Sequence, residues 1–305
     1  GGALIALMAL FKTYLGSIID DKVWKGLAEG LNYGFGFMVI FMLHFTVATK
    51  QPAMTAARFA EAVEKNPQGK TLNMKLAQLL VDVFRSQSVA VLGNVVVAMG
   101  LAALIAFVYQ HQTGEPLMNS ENIAYQLHRI DPLDGSLWFA AIAGVWLFCS
   151  GIISGYFDNR SNYLNMRMRL AQHPLLKKLM SEKSRVKFAN YMHENYGSLI
   201  GNFCFGMLLG LTGLVGYLTH LPLDIRHVAF SSANLGYSAV SGQFAYPFFL
   251  QCIAFVLLIG LVNLMVSFSL TLWVALRSLN TEIDSWWAIW HEVCQIVRKR
   301  PLSLF

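Results

Sequence analysis

Val89-Ala-Val-Leu-Gly-Asn-Val-Val-Val-Ala-Met-Gly-Leu-Ala-Ala-Leu-Ile-Ala-Phe-Val-Tyr109 runs for 21 residues without a charged side chain. A bilayer core of about 30 Å is crossed by roughly 20 apolar residues in a helix, the geometry that satisfies every backbone amide where there is no water. Four further runs have this character, near 30–49, 136–157, 197–219 and 249–276. A sixth, near 1–19, is interrupted by Lys12, whose long side chain can snorkel to an interface.

The whole composition agrees with that reading. Of 305 residues, 55% are hydrophobic and 13% charged, against about 25% charged in an ordinary soluble domain. Mean hydropathy is +0.48. A water-soluble fold has no interior large enough for so much apolar surface. A net charge of +6 and a pI near 9.1 raise nucleic acid as a partner, yet in a membrane protein the placement of charge says more than its sum.

Cytoplasmic flanks retain lysine and arginine during insertion. Eighteen of the 23 basic residues fall in three segments, six in 50–88, eight in 158–196 and four in 277–305. The opposite loops hold Lys22, Lys25, Arg129 and Arg226, with Lys12 nearby. The expected fold is therefore all-α, a polytopic bundle of about six transmembrane helices arranged as three hairpins, with both termini cytoplasmic. Its units are a first hairpin at 1–49, a basic segment at 50–88, a second hairpin at 89–157, a second basic segment at 158–196, a third hairpin at 197–276 and an amphipathic tail at 277–305. The opening Gly1-Gly2-Ala3 falls directly inside an apolar run and reads as the start of a fragment.

Internal similarity supports hairpin duplication. Residues 93–109 align with 201–217 at constant offset, pairing Gly93 with Gly201, Asn94 with Asn202, Met99 with Met207, Leu101 with Leu209 and Tyr109 with Tyr217. The external loops echo one another as well: Ser120-Glu-Asn122-Ile-Ala-Tyr125 matches Ser232-Ala-Asn234-Leu-Gly-Tyr237, and Leu31-Asn32-Tyr33-Gly34 is a worn third copy.

Several polar residues stand out against the apolar background. His44 follows Phe-Met-Val-Ile-Phe-Met-Leu and precedes Lys50, a titratable group at a costly depth. Asn94, Asn202 and Asn263 are amides inside apolar runs. Asp158 and Arg160 lie just after a helix. Leu221-Pro222-Leu223-Asp224-Ile225-Arg226-His227 is too polar to span and opens a stretch, 221–248, that reads as re-entrant or lying on the membrane. Asp224 and Arg226 form a candidate pair there with His227 beside them, serving either as a structural clamp or as a ligand or proton site. Gly206-x-x-x-Gly210 reads as a helix-packing motif.

Cys149, Cys204, Cys252 and Cys294 have no CxxC or Cys/His spacing, so neither a disulfide framework nor a metal or other cofactor is expected. The basic segments suit anionic headgroups at about 1 kcal/mol per residue near the surface, which makes membrane lipids the first partner. Protein partners, a homo-oligomer and nucleic acid are the others.

Three runs together carry a family resemblance: His44-Phe-Thr-Val-Ala-Thr-Lys50-Gln-Pro-Ala-Met-Thr55, Tyr156-Phe-Asp158-Asn-Arg160, and Leu221-Pro-Leu-Asp224-Ile-Arg226-His227-Val228, with Arg300-Pro-Leu302 at the end. They resemble the carboxy-terminal membrane half of the bacterial proteins labelled site-specific recombinases, the gonococcal recombinase-like family. The resemblance implies a bacterial inner-membrane location, a further amino-terminal region, and cleavage and rejoining of DNA. The residues point elsewhere, because Arg226 and His227 fall on the side away from the cytoplasm, and no phosphate-binding loop or hydrolase motif is visible. Two functions are therefore expected from different classes: membrane transport, lipid handling or scaffolding on one hand, and DNA recombination on the other.

Overall fold

A computed structural model describes residues 1–45, 70–278, 280, 283 and 285–299; Lys50 and most of the first basic segment lie outside them. The described residues form eleven α-helices and no strand. They are α1 (Gly2–Ile18), α2 (Lys22–Met42), α3 (Lys70–Thr113), α4 (Ser120–Ile130), α5 (Ser136–Tyr163), α6 (Met166–Gln172), α7 (Pro174–Leu179), α8 (Glu182–Thr219), α9 (Val228–Ser241), α10 (Tyr246–Ser278) and α11 (Trp286–Lys299). Helices α3, α5, α8 and α10 contain apolar stretches long enough to cross a membrane. Their outer faces carry Val96, Leu104, Phe107, Ile152, Leu261 and Met265, all exposed, as a surface solvated by lipid would.

The other two expected spans are α1 and α2. Helix α1 is apolar but has only 17 residues. Helix α2 starts earlier than its apolar run because the Asp21 carboxylate accepts hydrogen bonds from the backbone amides of Val23 and Trp24, both at 2.9 Å. Its frame is complete at Met42. His44 N donates to Phe41 O and Phe45 N to Ile40 O, so His44 lies past the helix end, exposed and in a left-handed turn at φ 57°. The expected titratable group inside a helix is replaced by one in a turn beyond it.

Local chemistry sets the other breaks. Asn119 caps α4 by accepting from Asn122 N at 2.8 Å, Gly135 takes a left-handed φ of 80° before α5, and His220 ends α8 at φ 54°. Helices α3 and α8 run unbroken from the basic segments into the apolar spans. The order of a long helix, a short one and a long one appears twice, as α3–α4–α5 and as α8–α9–α10.

Helix α2 packs on α8, α8 on α5, α5 on α10, α10 on α9, α9 on α3, α3 on α1 and α1 on α2, closing a ring of neighbours. The α2/α8 seam is tight enough that a Cβ at Gly210 would collide with the backbone of Gly30, and one at Gly206 with that of Tyr33. Small residues at that spacing permit close backbone approach. The starts of α3 and α8 lie with the ends of α2, α5 and α10 at one end of the bundle, hereafter the basic end. The ends of α1, α3 and α8 and the start of α2 mark the far end.

At 14 residues, about 21 Å long, α9 is too short to cross a bilayer. Ten of those residues are buried, so it is enclosed by protein rather than lying on a surface. It runs parallel to α3, with Gly236 against Met99 and Ala102 and Ser241 Oγ accepting a hydrogen bond from Met118 N at 3.3 Å. The chain enters α9 through 220–227, which has no regular structure.

Candidate functional site

Irregular backbone inside a bundle persists only where its amides and carbonyls find partners. In 220–227 they do. Leu221 N donates to Gly216 O and Arg226 N to Phe139 O, both at 3.2 Å. The carbonyl of Ile225 accepts from Arg129 Nη2 at 3.2 Å and Arg226 Nη1 at 2.9 Å. Asn263, midway along α10, completes the set: its Nδ2 donates to Arg226 O at 2.9 Å and Ala140 O at 2.7 Å, and its Oδ1 accepts from Val228 N at 3.1 Å. One buried amide thus ties the start of α5, the irregular segment and the first turn of α9 to α10.

This segment forms one wall of a cavity of about 1290 Å³. The other walls are α1, α2, α3, α4, α8 and the first turns of α9. Every basic residue that the sequence places away from the three basic segments lines it: Lys12, Lys22, Lys25, Arg129 and Arg226. Two carboxylates face them, Glu29 and Asp224, so the lining has an excess of three positive charges.

The charges are ordered. Arg226 Nη1 donates to Asp224 Oδ2 at 2.6 Å, and Arg129 Nη2 stands 3.5 Å from Asp224 Oδ1. Arg226 Nε also donates to the carbonyl of Arg129 at 2.7 Å, and Arg129 Nη1 to Tyr125 Oη at 2.7 Å. Burial opposes ionisation of Asp224, but the two guanidiniums outweigh it and hold its carboxyl below the usual range. On the facing wall, Lys12 Nζ pairs with Glu29 at 3.0 Å and lies over the Tyr33 ring. Lys12 and Arg129 line the same cavity from α1 and α4. Lys22 and Lys25 have no carboxylate within ion-pair distance among the described residues, and Lys22 sits over the Tyr217 ring.

Aromatic side chains close the inner end. Tyr33 stacks on Phe230 with centroids 4.2 Å apart, and the His227 ring is held by Phe37, Phe205 and Phe230 at 6.0, 5.7 and 5.9 Å. His227 Nδ1 is buried without a hydrogen-bond partner among the described residues. The loop echoes converge here too, since Tyr33, Asn122, Tyr125 and Asn234 all line the cavity, while Tyr237 Oη donates to Ala6 O at 3.0 Å.

Of the residues singled out from sequence, Asp224, Arg226 and His227 are in the cavity, whereas His44, Asn94, Asp158, Arg160 and Asn202 are elsewhere and Lys50 lies outside the described residues. Asn94 Oδ1 accepts from Gly2 N at 2.9 Å, joining α3 to α1. Asn202 Nδ2 donates within α8 to Ser198 O. Asp158 Oδ1 accepts from Gly197 N at 2.9 Å, clamping α5 to α8, and Arg160 Nη1 donates to Tyr156 Oη. The aligned glycines differ in surroundings, for Gly201 is pressed against Ser150 and Ser154 and Gly93 has open space. Glu29, Tyr33 and Tyr125 are site residues that the sequence does not single out, and of the five cations only Arg226 is marked by its sequence context as a site candidate. Their signal was that they broke the charge rule. Among the described residues no group of histidines, cysteines and acids has a metal-binding arrangement.

A family model described as site-specific recombinase matches residues 1–305. The chain belongs to that family. No curated protein and no solved structure matches it. The described residues of the chain are all-α, with four helices long and apolar enough to span a membrane. Outside the cavity, at the basic end, Ser161 Oγ lies 3.1 Å from His193 Nδ1 and donates to the carbonyl of His193 at 3.3 Å. Within the cavity, Tyr33, Arg129, Arg226 and His227 are committed to stacking, ion pairing and aromatic packing.

Proposed function

We propose that this protein is a multi-pass component of the bacterial inner membrane, both ends in the cytoplasm, that binds a small ligand in the far-end cavity and passes it across or within the membrane. The observation that carries the reading is the convergence of all five far-end cations on one cavity. Basic residues are selected against on the non-cytoplasmic side. Five retained there and facing one concave space have the arrangement of a ligand site.

The surrounding fold suits transport. A short helix buried between long ones, entered through irregular backbone, is the arrangement by which transporters place discontinuous helices against a ligand. Helix α9 has that form, and the recurring long, short, long order is what hairpin duplication leaves. The plug of Phe37, Phe205, His227 and Phe230 is the part that must move for the cavity to reach the other side. At the basic end, α11 exposes Trp286, Trp287 and Trp290 and ends in Arg298 and Lys299, the composition of a helix anchored at the cytoplasmic interface.

The second reading is DNA recombination, favoured by the family's description and by the basic end. A duplex presents a major groove about 12 Å wide to readers on one exposed face, whereas the cavity is recessed among seven elements. Two measurements decide between them. Thermal stabilisation of the purified complete protein by a panel of small metabolites and lipids, lost in Arg129→Gln, is expected under transport. Binding and rearrangement of duplex DNA at moderate salt, with no small-molecule stabiliser, would replace it.

A further inference from the structure

The charge pattern says what kind of ligand the cavity takes. Resting on the transport reading for its location, we infer that the ligand carries an anionic phosphate or carboxylate group, received by the cationic wall of Lys12, Lys22, Lys25, Arg129 and Arg226. Three observations lead there. The lining keeps an excess of three positive charges. Asp224 neutralises only one of the two arginines that contact it. The rim lysines, Lys22 and Lys25, have no carboxylate partner among the described residues and stand at the first turns of α2, where an arriving anion meets them first.

The positions also order the encounter. Long-range attraction by Lys22 and Lys25 raises the local concentration of anions at the mouth. Inside, Arg129 offers a planar guanidinium suited to two oxygens of a phosphate or carboxylate, while Lys12 faces it from α1. The first turn of α9 borders the floor and adds the partial positive charge of a helix start. A cation would meet the same field with the opposite sign. The apolar rim formed by Leu7, Phe11, Tyr14, Ile105 and Leu117 between α1 and α3 accommodates a hydrocarbon portion, so a lipid headgroup and a free anion share the recognition chemistry.

The test uses the complete protein in a neutral detergent. Inorganic phosphate is titrated calorimetrically, choline serves as the cationic control, and nanodiscs of phosphatidylcholine with and without phosphatidylglycerol are examined for retained lipid by native mass spectrometry. Phosphate binding points to a soluble anion, and selective retention of phosphatidylglycerol to a lipid headgroup; either supports the inference. The double variant Lys22→Gln/Lys25→Gln, at an exposed and a half-buried position with no ion pair to a carboxylate among the described residues, is expected to weaken binding about tenfold, as loss of charge-assisted contacts does. Lys177→Gln/Lys178→Gln at the basic end is expected to change nothing. Preference for choline, no binding of either anion, or weakening by the basic-end variant alone overturns it. Anion binding without transport would instead remove the transport reading, and transport of a neutral or cationic solute would remove this one while leaving transport in place.

Discussion

Arg226 donates from Nε to the carbonyl oxygen of Arg129 at 2.7 Å, so two arginines lie side by side in one cavity wall with the single carboxylate of Asp224 between them. Such an arrangement is stable only because each guanidinium also finds neutral acceptors, Ile225 O for both and Tyr125 Oη for Arg129. Removal of Asp224 would leave both cations uncompensated; because its side chain is 31% exposed, the cost is expected below the roughly 3–5 kcal/mol of breaking a fully buried pair. Asp224→Asn is expected to lower the thermal midpoint of the detergent-solubilised protein clearly, while Asp134→Asn, at an exposed site, leaves it unchanged.

The same carboxylate sets a pH dependence. Its folded-state ionisation lies below the ordinary value of 3.8, so its contribution to stability is fully present above that value and is lost as pH falls through the depressed one. Stability curves of the protein and of Asp224→Asn are therefore expected to run parallel from pH 8 to 5 and to converge below about pH 4.

Asn263 joins three elements with one side chain, 3% exposed. Asn263→Ala strands the Arg226 carbonyl and the Val228 amide, removes a second bond from the Ala140 carbonyl within α5, and is expected to cost about 2 kcal/mol. Asn263→Asp is nearly identical in shape but loses both donors and sets a carboxylate against the carbonyls of Ala140 and Arg226. It should therefore destabilise at least as much as the alanine variant, whereas a role in packing alone would make it milder. Denaturation midpoints of the two variants separate these cases.

Glycine positions give opposite signs along the bundle. At Gly210 a methyl group meets the backbone of Gly30, so Gly210→Ala is expected to destabilise by about 1–3 kcal/mol. At Gly100, within α3, nothing lies within 4 Å, and Gly100→Ala should stabilise by roughly 0.5–1 kcal/mol through helix propensity alone. Melting of the two variants side by side measures the difference.

Much of the fold was legible in the chain because membrane insertion imposes rules on short stretches. The uncharged run from Val89 to Tyr109 had to be helical, and Gly206 and Gly210 had to face a close neighbour. What local rules could not show is where chain segments remote in sequence meet. Lys12 looked like an interruption in an apolar run until Glu29 of the next helix was found 3.0 Å away. The stretch from 221, with Asp224, Arg226 and His227, reads as re-entrant or lying on the membrane, and the choice between the two rests on remote partners, Asn263 and Phe139, which hold it between helices. His44 stands beyond α2 for a local reason: it takes the left-handed position after the helix, where His44 N donates to Phe41 O and Phe45 N to Ile40 O, which closes the helix before the apolar run ends.

The cavity's side of the membrane is the claim on which the functional account turns, and thiol accessibility tests it most directly. Lys22→Cys at the cavity mouth and Lys177→Cys at the basic end, both exposed positions, are treated in intact cells with a membrane-impermeant maleimide, with native Cys294, exposed on α11, as an internal reference. The prediction is labelling of the Lys22→Cys thiol before permeabilisation and of the Lys177→Cys and Cys294 thiols only after it. Labelling in the reverse order would place the cavity on the cytoplasmic side and contradict the account.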